Sequence, residues 1–378
     1  MSEYQYYEFQ AIDRMLRQAD REALRKISSR AAITSTRFTN SYEWGDFKGD
    51  PNTLMERWFD LHFYRANWGS RRLMLKLPTR MVDRDVLDRC LGKTDSVEVW
   101  EAGDSLILSI ARDELDIEDW DVEDDGRLAT LAPLRSDVLA GDTRLFYLLW
   151  LMAIEDGEVE DEALEPLPGI GPLTDALEAF AEFFGMDPDL VAAAAERTGD
   201  PMAGRSASSE AVRQIISAIA ETEKTDLLAR LHDGDGLVAS ELRALVRRRQ
   251  APATDAPLPA RCAGELRARA EAIRLARENA QAAEAAAERK RLEEEAERNR
   301  RVRLDALIGR GESVWSDIEA EIERRNARGY DKATEILLDL RTVAEERGTT
   351  KDFTGRLEAI RERHAGKRRF IDRLEMLA

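Results

Sequence analysis

Patterns that belong to β-strands end at residue 112, and every clearly periodic stretch from residue 143 onward is helical. This switch limits the fold more than any composition figure. Alternation with a period of two and apolar spacing of three and four residues cannot be met by the same backbone. It predicts an α+β N-terminal domain followed by an all-α domain, with a chain that is predominantly α overall.

Before the switch, residues 4–12 alternate aromatic and polar side chains, and residues 33–47 are β-branched and aromatic. Residues 72–77 place Leu73, Leu75 and Leu77 on one face, and residues 96–101 and 105–111 flank Ala102-Gly103-Asp104 as a hairpin. Helical periods cover 16–29 and 83–91. Asp50-Pro51 opens a further helix, with Asp50 as cap and proline at the first helical position. Leu54, Trp58, Leu61, Tyr64 and Ala66 read as its buried side. Three of the seven tryptophans, Trp44, Trp58 and Trp68, lie between Tyr42 and Pro78, beside Phe47, Phe59 and Phe63. Aromatic side chains bury the most area per residue, so this stretch is the expected anchor of the N-terminal core.

After the switch, helical periods cover 143–154, 173–184, 188–196, 209–220, 224–231 and 241–249. Residues 250–259 hold three prolines and read as a linker. A long charged helix follows over 263–308, about 65–70 Å at 1.5 Å per residue. Its apolar seam runs through Ala263, Leu266, Ala270 and Ile273, then meets Arg277, Glu284 and Arg291. A two-stranded coiled coil needs that seam over three or four heptads. Lys290–Glu294 and Glu294–Arg298 instead sit at i,i+4. The preferred reading is a solvated middle, 281–303, docked at its ends; a homodimer through 263–308 is the alternative. Four shorter helices, 314–327, 330–346, 353–364 and 370–377, form a C-terminal helical bundle. The expected domains are therefore 1–140, 141–250, a linker at 251–262, the helix 263–308 and the bundle 309–378.

Charge divides along the same lines. The whole chain carries −18, residues 261–378 carry +2, and residues 1–260 carry −20. So acidic a region repels phosphate backbones at long range and suits a basic partner. Two distant cysteines, Cys90 and Cys262, exclude a disulfide framework. The first ten residues lack the apolar core of a signal peptide, and the longest apolar run, 145–154, is half a bilayer span. The expectation is a cytoplasmic protein with no membrane partner.

Signals for chemistry are sparse. Leu91-Gly92-Lys93-Thr94 ends like a phosphate-binding loop, but its first glycine position is Leu87. Residues 113–125 hold nine acidic side chains in thirteen. Asp121, Glu123 and Asp125 start like a calcium loop, whose twelfth position is Ala132 instead of glutamate. Asp46-Phe47-Lys48 matches the D-x-K part of magnesium-dependent nuclease sites, with Glu43 or Asp13 as the further carboxylate. His62, His232 and His364 have no metal spacing, and His62 reads as a packing residue. Arg71-Arg72 and residues 247–249 are small basic spots; Lys367, Arg368 and Arg369, at the start of the last helix, form the best local anion site. No cofactor motif is present.

Residues 6–14, Tyr-Tyr-Glu-Phe-Gln-Ala-Ile-Asp-Arg, together with Trp44-Gly-Asp-Phe-Lys-Gly-Asp-Pro51 and Asn67-Trp-Gly69, resemble the markers of an uncharacterised bacterial protein family. The C-terminal tail, from Phe353-Thr-Gly-Arg-Leu to Arg373-Leu374, is similar to tails of bacterial SWIM zinc-finger-type proteins, without the zinc-binding cysteines and histidines. The resemblance implies no catalytic residue and no metal; a zinc-finger or nucleic-acid-handling partner is what the tail suggests. The functional expectation is a non-enzymatic scaffold or adaptor that binds other proteins. The alternatives are a metal-dependent nucleic-acid-processing enzyme using Asp46 and Lys48, and a divalent-cation-responsive regulator acting through 113–125.

Overall fold

The computed structural model describes residues 3–92, 94–115, 126–197, 209–250 and 259–374. The chain divides into two compact units, Met1–Arg277 and Glu278–Ala378.

The first unit is built on one antiparallel sheet of seven strands: β1 (Gln5–Gln10), β2 (Ala32–Ile33), β3 (Arg37–Tyr42), β4 (Leu61–Ala66), β5 (Arg71–Pro78), β6 (Val97–Ala102) and β7 (Ser105–Arg112). Their order is β2-β3-β1-β4-β5-β7-β6, so β1 lies inside the sheet and β2 and β6 are its edges. Strand alternation gives each face its own core. Phe63, Leu73, Leu75, Leu108 and Ile110 point to one side. Phe9, Phe38, Met74 and Ile107 point to the other, where α1 (Gln18–Ile27) and α2 (Pro51–Arg57) cover them. Helix α2 starts as its sequence dictates: Asp50 accepts from the amides of Asn52 at 3.1 Å and Thr53 at 3.2 Å, and Pro51 takes the first turn.

Helix α2 ends at Arg57, and residues 61–66 are strand β4, not the continuation read from the sequence. The reason is burial on both faces. Five of these six residues are buried, the polar His62 and Arg65 among them, so polarity does not mark a solvent face and the short segment reads equally as helix or strand. His62 accordingly sits in the middle of a sheet. It is fully buried, stacks on Phe9 at 4.0 Å and has Nδ1 3.0 Å from the Glu8 carbonyl. The tryptophan expectation also needs correction. Trp44 and Trp68 are 73% and 46% exposed; Phe9, Phe59 and Phe63 make the core instead, and only Trp58 of the three packs against it.

The sheet's other face meets α3 (Arg84–Leu91), α4 (Arg127–Leu131), α5 (Pro133–Leu139), α6 (Arg144–Glu155), α7 (Asp175–Phe183) and α8 (Pro188–Ala195). Helix α6 is buried from Arg144 to Ile154, all the way round, as its unbroken apolar sequence requires. The packing has no break at the expected 140/141 boundary. One core joins Leu75 of the sheet, Leu134, Phe146 and Phe180 of the helices, and Leu266 beyond them. Helices α9 (Ser209–Ser217), α10 (Glu221–His232) and α11 (Val238–Gln250) follow.

Helix α12 (Ala263–Arg310) begins in this core through Ala263, Leu266 and Ala270. Its entry is held by Glu165, whose side chain is fully buried and accepts from Arg261 Nη2 at 3.0 Å and Tyr147 Oη at 2.7 Å. Residues 275–303 of α12 are exposed throughout in the single chain. In the second unit Leu307 joins the core of α13 (Ser313–Glu323), α14 (Ala327–Arg347), α15 (Thr350–Arg363) and α16 (Arg368–Leu374), with Ile318, Leu337, Leu357 and Phe370 at its centre. Among the described residues no helix is long and apolar enough to cross a membrane.

Candidate functional site

Three of the sequence candidates, Glu43, Asp46 and Lys48, and an open cleft share one end of the sheet. Gln5 at the start of β1 is opposite Tyr42 at the end of β3 and Ala66 at the end of β4. Residues 43–50, 67–70 and 113–115 therefore emerge together. Gly69 makes the 67–70 turn possible: its φ is +95°, and a Cβ there would lie 2.6 Å from the Leu115 backbone.

Glu43, Asp46 and Lys48 are all exposed in the 43–50 segment. Asp46 Oδ1 accepts from Gln5 Nε2 at 3.2 Å, and Gln5 Oε1 accepts from Tyr7 Oη at 2.7 Å and Tyr64 Oη at 3.2 Å. Burial pushes the Tyr7 and Tyr64 hydroxyls above their ordinary range, so both stay protonated donors in this chain of bonds. Through Gln5, Asp46 ties its segment to the start of β1. Asp13 follows the opposite end of β1, a strand of six residues that spans roughly 20 Å. There Arg135 holds it with two bonds, 3.0 and 2.6 Å. Among the described residues no group of three or more histidine, cysteine or acidic side chains could hold a metal ion.

Beside this network a cleft of about 390 Å³ opens on the sheet, lined by Tyr64, Ser70, Arg72, Glu98, Ser109 and Asp113, with Arg71, Asp95, Ser96 and Ala111. Register explains the lining. Arg72 pairs with Tyr64 on one side and Ala111 on the other, and Ser109 pairs with Glu98. Both arginines are already engaged. Arg72 donates to Ser109 Oγ at 2.8 Å and Asn52 Oδ1 at 3.2 Å and pairs with Glu98 Oε2 at 3.5 Å. Arg71 donates to the carbonyls of Phe183 and Glu182 and lies over the Phe183 ring. Asp95, Glu98 and Asp113 are exposed. Asp113 accepts from Ser70 Oγ at 2.5 Å, and Ser70 Oγ accepts from Trp68 Nε1 at 2.9 Å. With its proton given to Asp113 and a lone pair taken by Trp68, Ser70 is held as a structural link and is not poised as a nucleophile.

The remaining candidates do not gather here. Lys367 Nζ donates to Glu323 Oε1 at 2.6 Å and to His364 Nδ1 at 3.2 Å, so its charge is neutralised within the C-terminal unit. Arg368 and Arg369 are exposed on the seven-residue α16. Asp121, Glu123 and Asp125 lie outside the described residues. Sequence reading missed Ser70, Asp95, Glu98 and Ser109, and took Asp113 only as the first residue of the acidic segment 113–125, because only the sheet brings them together. Comparison with protein-family models, with curated proteins and with solved structures finds no match for this chain.

Proposed function

We propose that this chain is a non-enzymatic adaptor that takes a basic segment of a partner protein at the acidic, aromatic end of its sheet. The observation that carries the reading is the cleft's balance of charge: Arg71 is taken up by backbone carbonyls and Arg72 by Ser109, Asn52 and, at 3.5 Å, Glu98, which leaves Asp95 and Asp113 as exposed carboxylates that face no arginine of the cleft. Trp68, bonded to the cleft's Ser70, is half-exposed, and Trp44 stands at the same end of the sheet. Indole faces attract guanidinium and ammonium groups, and carboxylates beside them supply the paired charge. The surplus of −20 over residues 1–260 draws a cationic chain toward this unit before contact.

Calorimetric titration with a lysine- and arginine-rich decapeptide, and with a glutamate-rich control, tests this. The basic peptide is expected to bind at about 50 mM salt and to weaken steeply by about 300 mM, as screened charge requires. The control should not bind. The variant D95N/E98Q/D113N should lose at least about tenfold in affinity, near 1.4 kcal/mol. No heat with the basic peptide at low salt, or equal affinity in the variant, overturns the reading.

A further inference from the structure

A second cavity lies at the other end of the sheet, beyond the last residue of β5. Its volume is about 500 Å³, within the range of small-molecule sites. Four arginines from three elements line it: Arg80 on the turn Thr79–Met81, Arg84 at the start of α3, and Arg247 and Arg248 on α11. Val138 and Phe146, both buried, give it an apolar floor, and Thr143 adds a hydroxyl.

Four arginines around one opening demand an account in a unit so rich in acid. Like charges brought together raise the energy of the folded state unless carboxylates or a ligand compensate them. Here the compensation is partial. Arg80 reaches Asp235 Oδ2 at 3.6 Å, but Arg230 already holds that oxygen at 2.9 Å. Arg247 reaches Asp142 Oδ2 at 3.6 Å, where Arg144 sits at 2.6 Å. Arg84 pairs with Asp88 one turn along the exposed face of its own helix. Arg248 is exposed, and no hydrogen bond or ion pair engages it among the described residues. Three carboxylates also line the cavity. Glu241 is bound by Arg230 at 2.6 Å, Asp83 caps the Val86 amide at 3.1 Å, and Asp85 is exposed in the first turn of α3.

We infer that this cavity binds a small phosphorylated molecule with an apolar body. The phosphate is met by Arg80, Arg84 and Arg248, and the body rests on Val138 and Phe146. A phosphate suits the site better than a carboxylate, because several guanidinium forks match a dianion with three acceptor oxygens.

The test uses the full-length chain and four probes: phenyl phosphate, inorganic phosphate, benzoate and phenol. Phenyl phosphate is expected to bind in the millimolar range or tighter, inorganic phosphate at least about threefold more weakly for want of the apolar contact, benzoate more weakly still, and phenol not at all. The variant R80Q/R248Q changes two exposed side chains and should keep its melting temperature while losing about tenfold in phenyl phosphate affinity. Backbone resonances of Thr143 and Ala244 should shift on addition of phenyl phosphate to the unaltered protein, which keeps the test independent of the variant's folding. D95N/E98Q/D113N should bind phenyl phosphate normally, so failure here is separable from failure of the adaptor reading. No binding up to about 10 mM, undiminished binding in R80Q/R248Q, or benzoate binding as tightly as phenyl phosphate overturns the assignment.

Discussion

The two compact units use charge in opposite ways. In the first, a few ion pairs are buried on both sides: Glu165 and Arg261, which are 96 residues apart, and the local pair Arg144 and Asp142, both nearly inaccessible. In the second, pairs such as Arg356–Glu312 and Arg301–Glu346 have all four side chains well exposed, and where a carboxylate is buried, as at Glu321 and Asp339, its basic partner stays in solvent. The same chemical pair has a different meaning in the two places. Exposed pairs contribute little, because water and salt screen them and the side chains lose freedom. A buried pair adds little over an apolar filling, yet breaking one half strands a charge without solvent. The first unit therefore depends on polar commitments that cannot be undone singly, and the second on its small apolar centre.

The sharpest way to break this contrast is Glu165→Ala set against Glu312→Ala. Removing Glu165 leaves Arg261 buried with only carbonyl partners and frees the Tyr147 hydroxyl, and should cost about 3–5 kcal/mol in urea unfolding followed by tryptophan fluorescence. Glu312→Ala should leave the midpoint unchanged. Equal losses would erase the distinction between the units. A smaller effect sits inside the sheet. Burial pushes the His62 pKa down to about 3, from an ordinary value near 6.5. The unfolded chain takes up a proton below about pH 6.5, whereas folded His62 stays neutral until about pH 3, so this residue's contribution is full above 6.5 and is lost as pH falls. Between pH 6.5 and 5 the loss should approach about 2 kcal/mol, and His62→Phe should flatten the profile over that window. The smallest effects come from the N-terminal aromatic stretch. Asp50→Ala removes a helix cap and should cost about 1 kcal/mol. Trp44→Ala, at a solvent-facing position, should change stability by less than about 0.5 kcal/mol by thermal melting.

Legibility in the sequence follows the range of the interactions. The cap at Asp50-Pro51 and the hairpin around Gly103 are local, and both stand as read. Strand β4 was hidden because, with both faces buried, polarity marks no solvent face. Helices α4 and α5 were not anticipated: they are five and seven residues long, with Pro133 opening the second, too short for a period to declare itself. Trp44 and Trp68 read as core because aromatic content speaks to burial on average and not to the tip of a particular turn. The acidic cleft and the arginine cavity draw on strands and helices far apart in the chain, so no spacing announces either.

The strand order has a consequence for how copies of this protein meet at high concentration. One margin of the sheet is β2, only two residues long; the other is β6, which carries Glu98 and Glu101 exposed along it. A stub and a negatively charged border are poor templates for backbone pairing between molecules. Crowded solutions of this chain should resist ribbon-like polymerisation, and replacing both glutamates with threonine is where that resistance gives way.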